Sequence, residues 1–319
     1  MKLLATDNTH SLIEDHPPFV AVLLATHNGV RYLYEQLESI LVQEGVRVRV
    51  FVSDDQSTDG TWERLQQWAS KNTNVTLLTR GTFGSAAANF LRLLHDAPIS
   101  DYQFFAFCDQ DDVWLPTKLQ RAVSCMNSEG CGGYSSDLIA FNDGNKQSWR
   151  VHKFGTARRL DYIFGGASAG CTYVLSAKAA LIIRRCVAIA PQREWSHDWL
   201  FCAVCRSWGV RWCFDRKSLV MYRQHARNVY GARTGLAGVI AKAHAIRSGW
   251  YRRQILQNGR YLQRTVQEQA ALSRVERLWW RDRLWIALRG PSLRRRLWDG
   301  LALSVLSLAM GRETVNTDL

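Results

Sequence analysis

The sequence predicts an α/β fold: a mostly parallel sheet flanked by helices, followed by a helical, basic C-terminal region. Three observations predict it. The nearly continuous apolar run Phe19–Thr26 suits a strand covered on both faces. Strand and helix patterns alternate up to about residue 120, as parallel strands joined by crossover helices require. Beyond Gly235 the periodicity is helical, with Arg and Trp crowded into it.

Each element follows from its own residues. His27-Asn28-Gly29 breaks the first strand, and Leu33, Leu37, Ile40 and Leu41 then recur at helical spacing. Val46–Ser53 alternates as a strand and runs into Asp54-Asp55-Gln56-Ser57. Asp59 or Ser57 is placed to cap the next helix, on which Trp62, Leu65 and Ala69 share a face. Val75–Leu78 reads as a short strand, Asn89–Leu94 as helix and Tyr102–Cys108 as strand. The stretch 126–159 is rich in Gly, Ser and Asn and gives no clear period. After the small-residue loop 165–170 come a helix at Lys178–Val187 and another from about Asp198 to Trp208. Strands are expected at Val210–Phe214 and Ser218–Tyr222, and Gly290-Pro291 is expected to break the C-terminal helices.

Composition narrows the class. The chain has 319 residues, 47% hydrophobic and 22% charged, with six prolines, which argues for a globular protein rather than long disorder. Met1–Pro18 is polar, without the apolar core of a signal peptide. The eight scattered cysteines then suggest reduced thiols and a cytosolic setting. Cys202 and Cys205 form a C-x-x-C, but no second pair stands at zinc-ribbon spacing, so ordinary buried cysteines are expected. The net charge of +13 is uneven. Arg223–Leu319 holds 18 Lys/Arg against 6 Asp/Glu, which leaves the first 222 residues at +1. The basic character thus belongs to the C-terminal third.

The chemistry gathers where strands end. In an open parallel sheet, ligands bind outside the C-terminal strand ends. Three such ends carry polar groups: Thr26-His27-Asn28-Gly29, Asp54-Asp55 and Asp109-Gln110-Asp111-Asp112. Asp109 and Asp111 are two apart, so an extended segment turns both to one face. Two carboxylates there, with no basic neighbour, suit a hard divalent cation such as Mg²⁺ or Mn²⁺ whose shell phosphate oxygens complete. The competing reading is solvated turn acids, and for Asp112 the turn or cap is preferred. Asp198 follows Ser196-His197 at a helix start, where helix capping is its plain alternative role. Arg223 and Arg227 flank His225 and suggest a phosphate-facing segment.

AVLLATHNG at 21–29, VSDDQSTDGT at 52–61, FCDQDDVWLPTKL at 107–119, SHDW at 196–199 and YRQHARNVYG at 222–231 stand in order along the chain. With Gly166–Cys171 they resemble the family 2 glycosyltransferases, inverting enzymes of the GT-A fold, most of all their rhamnosyltransferase-like branch. The resemblance covers roughly residues 19–231. It implies that Thr26, His27 and Asp55 hold the nucleotide, that Asp109 faces the ribose and the metal, and that Asp111 is the main metal ligand. It further implies that Asp198 is the catalytic base and that His225 reaches the metal or the diphosphate. His27 departs from the tyrosine-like residue usual in the family, and residues 126–160 match poorly. The implied organisation is an N-terminal extension (1–18), a catalytic domain (19–235) with nucleotide-binding (19–120) and acceptor (121–235) halves, and an Arg/Trp-rich helical region (236–319).

The function expected is metal-dependent transfer of a sugar, with rhamnose as the leading candidate, from a nucleotide-diphosphate donor to a glycan or lipid-linked glycan in surface-polysaccharide synthesis. A non-catalytic nucleotide-sugar-binding scaffold and a metal-dependent phosphohydrolase are the rival classes. Retention of both D-x-D and Asp198 favours transfer over a scaffold.

The C-terminal region adds a partner. Arg274, Arg277, Arg281, Arg283, Arg289 and Arg294–Arg296 alternate with Trp279, Trp280, Trp285 and Trp298. A helical wheel puts Trp280, Leu284, Trp285, Ala287 and Leu288 on one arc, with Asp282, Arg283 and Arg289 opposite. Such a helix suits the anionic inner face of the cytoplasmic membrane as a peripheral anchor; packing on the catalytic domain is the other reading. The apolar Leu301–Met310 is too short to span about 30 Å of hydrocarbon. No nucleic-acid module accompanies the charge, which sets nucleic acid aside as a partner.

Overall fold

A computed structural model describes residues 16–145, 147–187, 196–225 and 235–310. Most of the N-terminal extension, Arg227 and the end of the YRQHARNVYG stretch lie outside the described residues. In chain order the elements are β1 (Phe19–Thr26), α1 (Val30–Leu41), β2 (Arg47–Asp54), α2 (Thr61–Lys71), β3 (Val75–Leu77), α3 (Ala86–Asp96), β4 (Phe104–Cys108) and β5 (Val113–Trp114). They continue with α4 (Lys118–Glu129), β6 (Gly133–Ser136), β7 (Leu138–Asn142), β8 (Ser148–Val151), β9 (Val174–Ser176), α5 (Ala177–Cys186), α6 (His197–Ser207), β10 (Trp212–Asp215) and β11 (Val220–Gln224). Five helices close the described chain: α7 (Gly235–Arg247), α8 (Trp250–Gly259), α9 (Val266–Arg277), α10 (Trp280–Leu293) and α11 (Leu297–Ser307).

The main sheet has seven strands in the order β10-β6-β9-β4-β1-β2-β3. β1 pairs in parallel with both β2 and β4, whereas β9 runs antiparallel between β4 and β6. The sheet is therefore mostly parallel, as expected. The alternation of β1 shows why its apolar run is continuous. Ala21 and Leu23 face one core with α3, α5 and α6, while Val20, Val22 and Leu24 face the other with α1 and α4. Both faces are covered, so both sets of side chains must be apolar.

The stretch without a clear period supplies β6 to the main sheet and β7 and β8 to a second, four-stranded sheet in the order β5-β11-β7-β8. Its strands are short and half exposed, which leaves little periodic signal in the sequence. β10 and β11 each begin two residues later than expected. The amide of Val210 is still bonded to the Cys205 carbonyl at 3.0 Å and closes the end of α6. Ser85 caps α3 by accepting from the Ala88 amide at 3.2 Å, and Thr265 with Glu268 forms a capping box on α9. The first core continues into the C-terminal helices through Ile246, Ile255, Leu272, Val275, Ile286 and Leu303. Cys202 and Cys205 are buried in α6 within that core.

Two expectations for the C-terminal region need correction. Pro291 does not end α10; it sits in the last turn, where only Ser292 and Leu293 follow it in the helix, so little of the ladder is lost. The wheel arc also splits. Trp280, Leu284 and Leu288 are exposed, while Ile286, Gly290 and Leu293 turn inward and Asp282 is buried against Arg274 and Arg277. The cause is the close crossing of α10 and α11, where a Cβ on Gly300 would lie 2.5 Å from the Pro291 Cα.

Candidate active site

The three polar strand ends converge, as the parallel reading requires. Gln110 ties the first to the third. Its Oε1 accepts from the His27 amide at 2.8 Å and its Nε2 donates to the His27 carbonyl at 2.9 Å. The Thr26 hydroxyl donates to Asp54 Oδ1 at 2.9 Å, joining the first end to the second. Asp54 is fully buried and also takes the Ser57 amide at 3.0 Å and Arg80 Nε at 3.1 Å. Asp59 accepts from the amide of Val30 at 3.2 Å and of Thr61 at 3.1 Å, so one carboxylate serves the starts of α1 and α2.

Asp55 is oriented by the loop after β3. Its two oxygens accept from the amides of Phe83 (2.6 Å) and Gly84 (2.9 Å), and each keeps a further lone pair. His27 Nδ1 lies 2.6 Å from the Asp55 carbonyl oxygen and must carry the proton there. Its Nε2 then accepts from the Asn28 amide nitrogen at 3.1 Å. The His27 ring is exposed.

The D-x-D segment is a turn, not an extended strand. The chain turns at Gln110-Asp111 between β4 and β5, so the two-residue rule for shared faces does not apply. The turn is what lets Gln110 reach back to His27. Asp109 and Asp111 stay close, and Asp111 raises the Asp109 pKa. The Asp109 carboxyl is pushed up to about 7, first by burial and then by the charges of Asp111 and Asp198. Asp111 Oδ2 lies 2.7 Å from His225 Nε2, and the imidazole stacks on Tyr32 with centroids 5.0 Å apart.

Asp112 is not a solvated turn acid. It is fully buried and accepts the Arg223 amide at 3.1 Å. Burial, with the neighbouring charges of Asp111 and Asp109, holds its carboxyl well above the ordinary range. Arg223 likewise does not face phosphate. It is buried, its Nε donates to the Asp111 carbonyl at 2.8 Å, and its guanidinium pairs with Asp143 at 2.8 Å and with Glu35. Pairing of β11 with β5 brings these groups together. Neither Arg223 as a clamp nor Gln110 as a bridge is signalled by spacing, because both act between segments remote in sequence. Lys118, buried over the Trp114 ring at 3.4 Å, is another such group; burial lowers its pKa to about 7.

Two sets of donors offer themselves to a divalent cation. Asp109, Asp112 and Cys171 have ligand atoms within 4.8 Å of one another. That set is sealed: Asp112 and Cys171 are fully buried, and burial pushes the Cys171 thiol far up. Asp109, Asp111 and His225 keep partial exposure, and His225 contacts Asp111. Two partly exposed carboxylates beside an imidazole are chemically compatible with Mg²⁺ or Mn²⁺, and the Asp109 carboxyl, crowded by Asp111, gains from such a charge.

Asp198 stands in the first turn of α6, whose N-cap is Ser196. Its Oδ1 accepts from the Ser196 hydroxyl and from the Trp199 amide at 2.7 Å. The side chain therefore both supports the helix start and lines a cavity of about 800 Å³. His197 points away, into Phe90 and Phe201, which removes it from any shared metal site with Asp198. The 165–170 loop packs tightly. Arg295 donates to the carbonyls of Gly166 (2.5 Å) and Ala167 (2.8 Å), and Arg294 to that of Phe164.

The model of glycosyl transferase family 2 matches residues 21–185. The chain is 32% identical over 237 residues to the dTDP-rhamnosyl transferase RfbG of Shigella flexneri, over 73% of this chain and 82% of that protein. Among solved structures, S. aureus TarS 1-349 in complex with UDP aligns with a TM-score of 0.55 at 16% identity, over 91% of this chain and 89% of that one. The mannosyltransferase PcManGT from Pyrobaculum calidifontis, in complex with GDP-Man and Mn²⁺, aligns with a TM-score of 0.53 at 16% identity, over 92% and 75%. At these identities the structural likeness shows the fold.

Proposed function

The chain belongs to glycosyltransferase family 2, and from that premise we propose that it moves a sugar, with inversion, from a nucleotide-diphosphate donor to a saccharide hydroxyl. Rhamnose from dTDP-rhamnose is the donor sugar favoured by the likeness to RfbG, and surface-polysaccharide assembly is the setting. The observation that supports the reading is the convergence of the three polar strand ends, where Gln110 bonds His27, Thr26 bonds Asp54 and His225 meets Asp111.

The roles follow. His27, Asp55 and the backbone fixed by Thr26 hold the nucleotide, and Asp109 faces the ribose and the metal. Asp111, Asp109 and His225 would hold Mg²⁺ or Mn²⁺, which supplies Lewis-acid stabilisation of a departing diphosphate. Asp198 accepts the proton of the acceptor hydroxyl as that oxygen attacks the anomeric carbon. Its fixed Oδ1 keeps the carboxylate aimed while the proton moves.

The test is a thermal-shift screen of nucleotide sugars with and without Mn²⁺, followed by nucleotide-diphosphate release with a saccharide acceptor. A metal-dependent shift with dTDP-rhamnose is expected. Release of sugar phosphate or nucleoside monophosphate would instead identify a hydrolase.

The same reading puts the protein at the inner face of the cytoplasmic membrane. It is supported by exposed Trp280, Leu284 and Leu288 on α10 beside the arginines of that helix. No described helix is long and apolar enough to cross a membrane. Flotation with anionic liposomes should fall when Trp280 and Leu288 become Ser; equal flotation would remove the membrane from the account.

A further inference from the structure

The start of α6 gives up the usual local cap. An N-cap serine ordinarily accepts an amide of the first turn on its hydroxyl, and a side chain at the third helical position reaches back to the N-cap amide. Ser196 makes no such capping bond, and its hydroxyl donates to Asp198 Oδ1 instead. The third helical position is Trp199, whose indole Nε1 donates to the Tyr162 carbonyl at 2.8 Å. An indole has no acceptor to offer the Ser196 amide.

That amide is met from the C-terminal region. Gln254 of α8, 58 residues further on, accepts it on Oε1 at 3.1 Å. The Gln254 side chain is fully buried, and its Nε2 donates to Gln257 Oε1 at 3.3 Å. A carboxamide in a helical core is costly unless it is bonded, so the bond to Ser196 accounts for the residue type. Tyr251 stands three residues earlier, on the same face of α8. Its ring lies against Trp199 with centroids 5.5 Å apart, and its hydroxyl donates to the Phe164 carbonyl at 2.5 Å. Both ends of the Ser196–Trp199 turn are thus held by α8.

Remote capping leaves the Ser196 hydroxyl to Asp198. Oδ1 is fixed by that hydroxyl and by the Trp199 amide, and among the described residues Oδ2 carries no hydrogen bond. We propose that Gln254 is a positioning residue for Asp198, acting through Ser196, so that the C-terminal helices aim the base. The proposal rests on the transfer reading, because it takes Asp198 as the base. A misplacement of about 1 Å costs on the order of 10²-fold in rate, so the effect falls on turnover rather than on donor binding.

Release of nucleoside diphosphate from dTDP-rhamnose, UDP-glucose and GDP-mannose by the full chain with Mn²⁺ tests this, with water standing in for the acceptor hydroxyl. Gln254→Met keeps the side-chain volume and removes the polar atoms. It should lower kcat about 10-fold or more and leave the donor KM within about 2-fold. Gln254→Glu, which keeps an acceptor for the Ser196 amide, should retain most of the rate. Ser196→Ala reads the same step at a hydroxyl that is not a cap. It should lower kcat with Tm nearly unmoved, and Ser196→Thr should restore it. In an Asp198→Asn background Gln254→Met should add no further loss, since a residue acting only through Asp198 has nothing left to aim. Unchanged kcat in Gln254→Met or in Ser196→Ala, or a Gln254→Met loss that persists in the Asp198→Asn background, overturns the positioning role and leaves Asp198 as the base. Wild-type release by Asp198→Asn alone overturns the base reading and the positioning role with it.

Discussion

His225 Nε2 stands 2.7 Å from Asp111 Oδ2, across 114 residues of chain, and this contact joins the D-x-D turn to the end of β11. A cation that enters on these two groups must replace their hydrogen bond with two coordinate bonds. His225→Ala should therefore weaken Mn²⁺ binding on the order of 10-fold, and Asp111→Asn should weaken it more. Calorimetric titration of Mn²⁺ in the presence of nucleoside diphosphate measures both. Unchanged affinity in His225→Ala would return the histidine to a packing role on Tyr32.

Asp198→Asn should separate binding from chemistry. The amide keeps an oxygen to accept from Ser196 and the Trp199 amide, so α6 should start as before. It cannot take the acceptor proton. Transfer should fall by about 10²–10⁴ with nucleotide-sugar affinity intact. Transfer at the wild-type rate would assign the base elsewhere.

Asp109 sets a pH dependence whose sign is fixed by its shift. Its carboxyl titrates near 7 in the fold against 3.8 ordinarily. Between those values the folded chain binds more protons than the unfolded one, so stability falls as pH rises toward 7. Below both values the cost is absent. In EDTA at pH 8, Asp109→Asn should raise Tm by about 2–4 °C, with the gap narrowing toward pH 5. Mn²⁺ should raise the wild-type Tm and leave the variant nearly unmoved. A variant less stable than wild type at pH 8 would contradict the strain assigned to this carboxylate.

Arg223 should matter for stability before it matters for binding. Its buried guanidinium holds Asp143, Glu35 and the Asp111 carbonyl and lies over the Tyr32 and Phe141 rings. Arg223→Gln should cost about 3 kcal/mol in urea unfolding. The same variant should lose Mn²⁺ affinity, because the D-x-D turn is no longer held. Loss of affinity without loss of stability would place Arg223 in the site rather than behind it.

Residues whose neighbours are close in sequence were legible. The apolar run of β1, the Asp59 carboxylate at the start of α2 and the three polar strand ends all carry local signals; the Ser85 cap of α3 was not among the residues the sequence singled out. The D-x-D pattern located the acids but misjudged their geometry. A pattern of residue types does not say whether the chain is extended or turned, and the turn at Gln110-Asp111 depends on His27. Arg223, beside His225, had suggested a phosphate-facing segment. Its actual partners, Glu35, Asp111, Asp112 and Asp143, belong to three other segments.

The sequence by itself determined the α/β class, the order of its elements and the acids that mark the cleft. These follow from hydrophobic period and from residue chemistry, which are properties of short stretches. Only the tertiary structure decided which of those acids face the cleft. Asp112 is fully buried under the Arg223 amide whereas Asp109 and Asp111 keep partial exposure, and that difference exists only once β5 and β11 have paired. It also decided where the basic C-terminal region packs. Charge counted along a chain has no direction, whereas folding turns Arg294–Arg296 onto the 164–168 loop and the cavity beside Asp198.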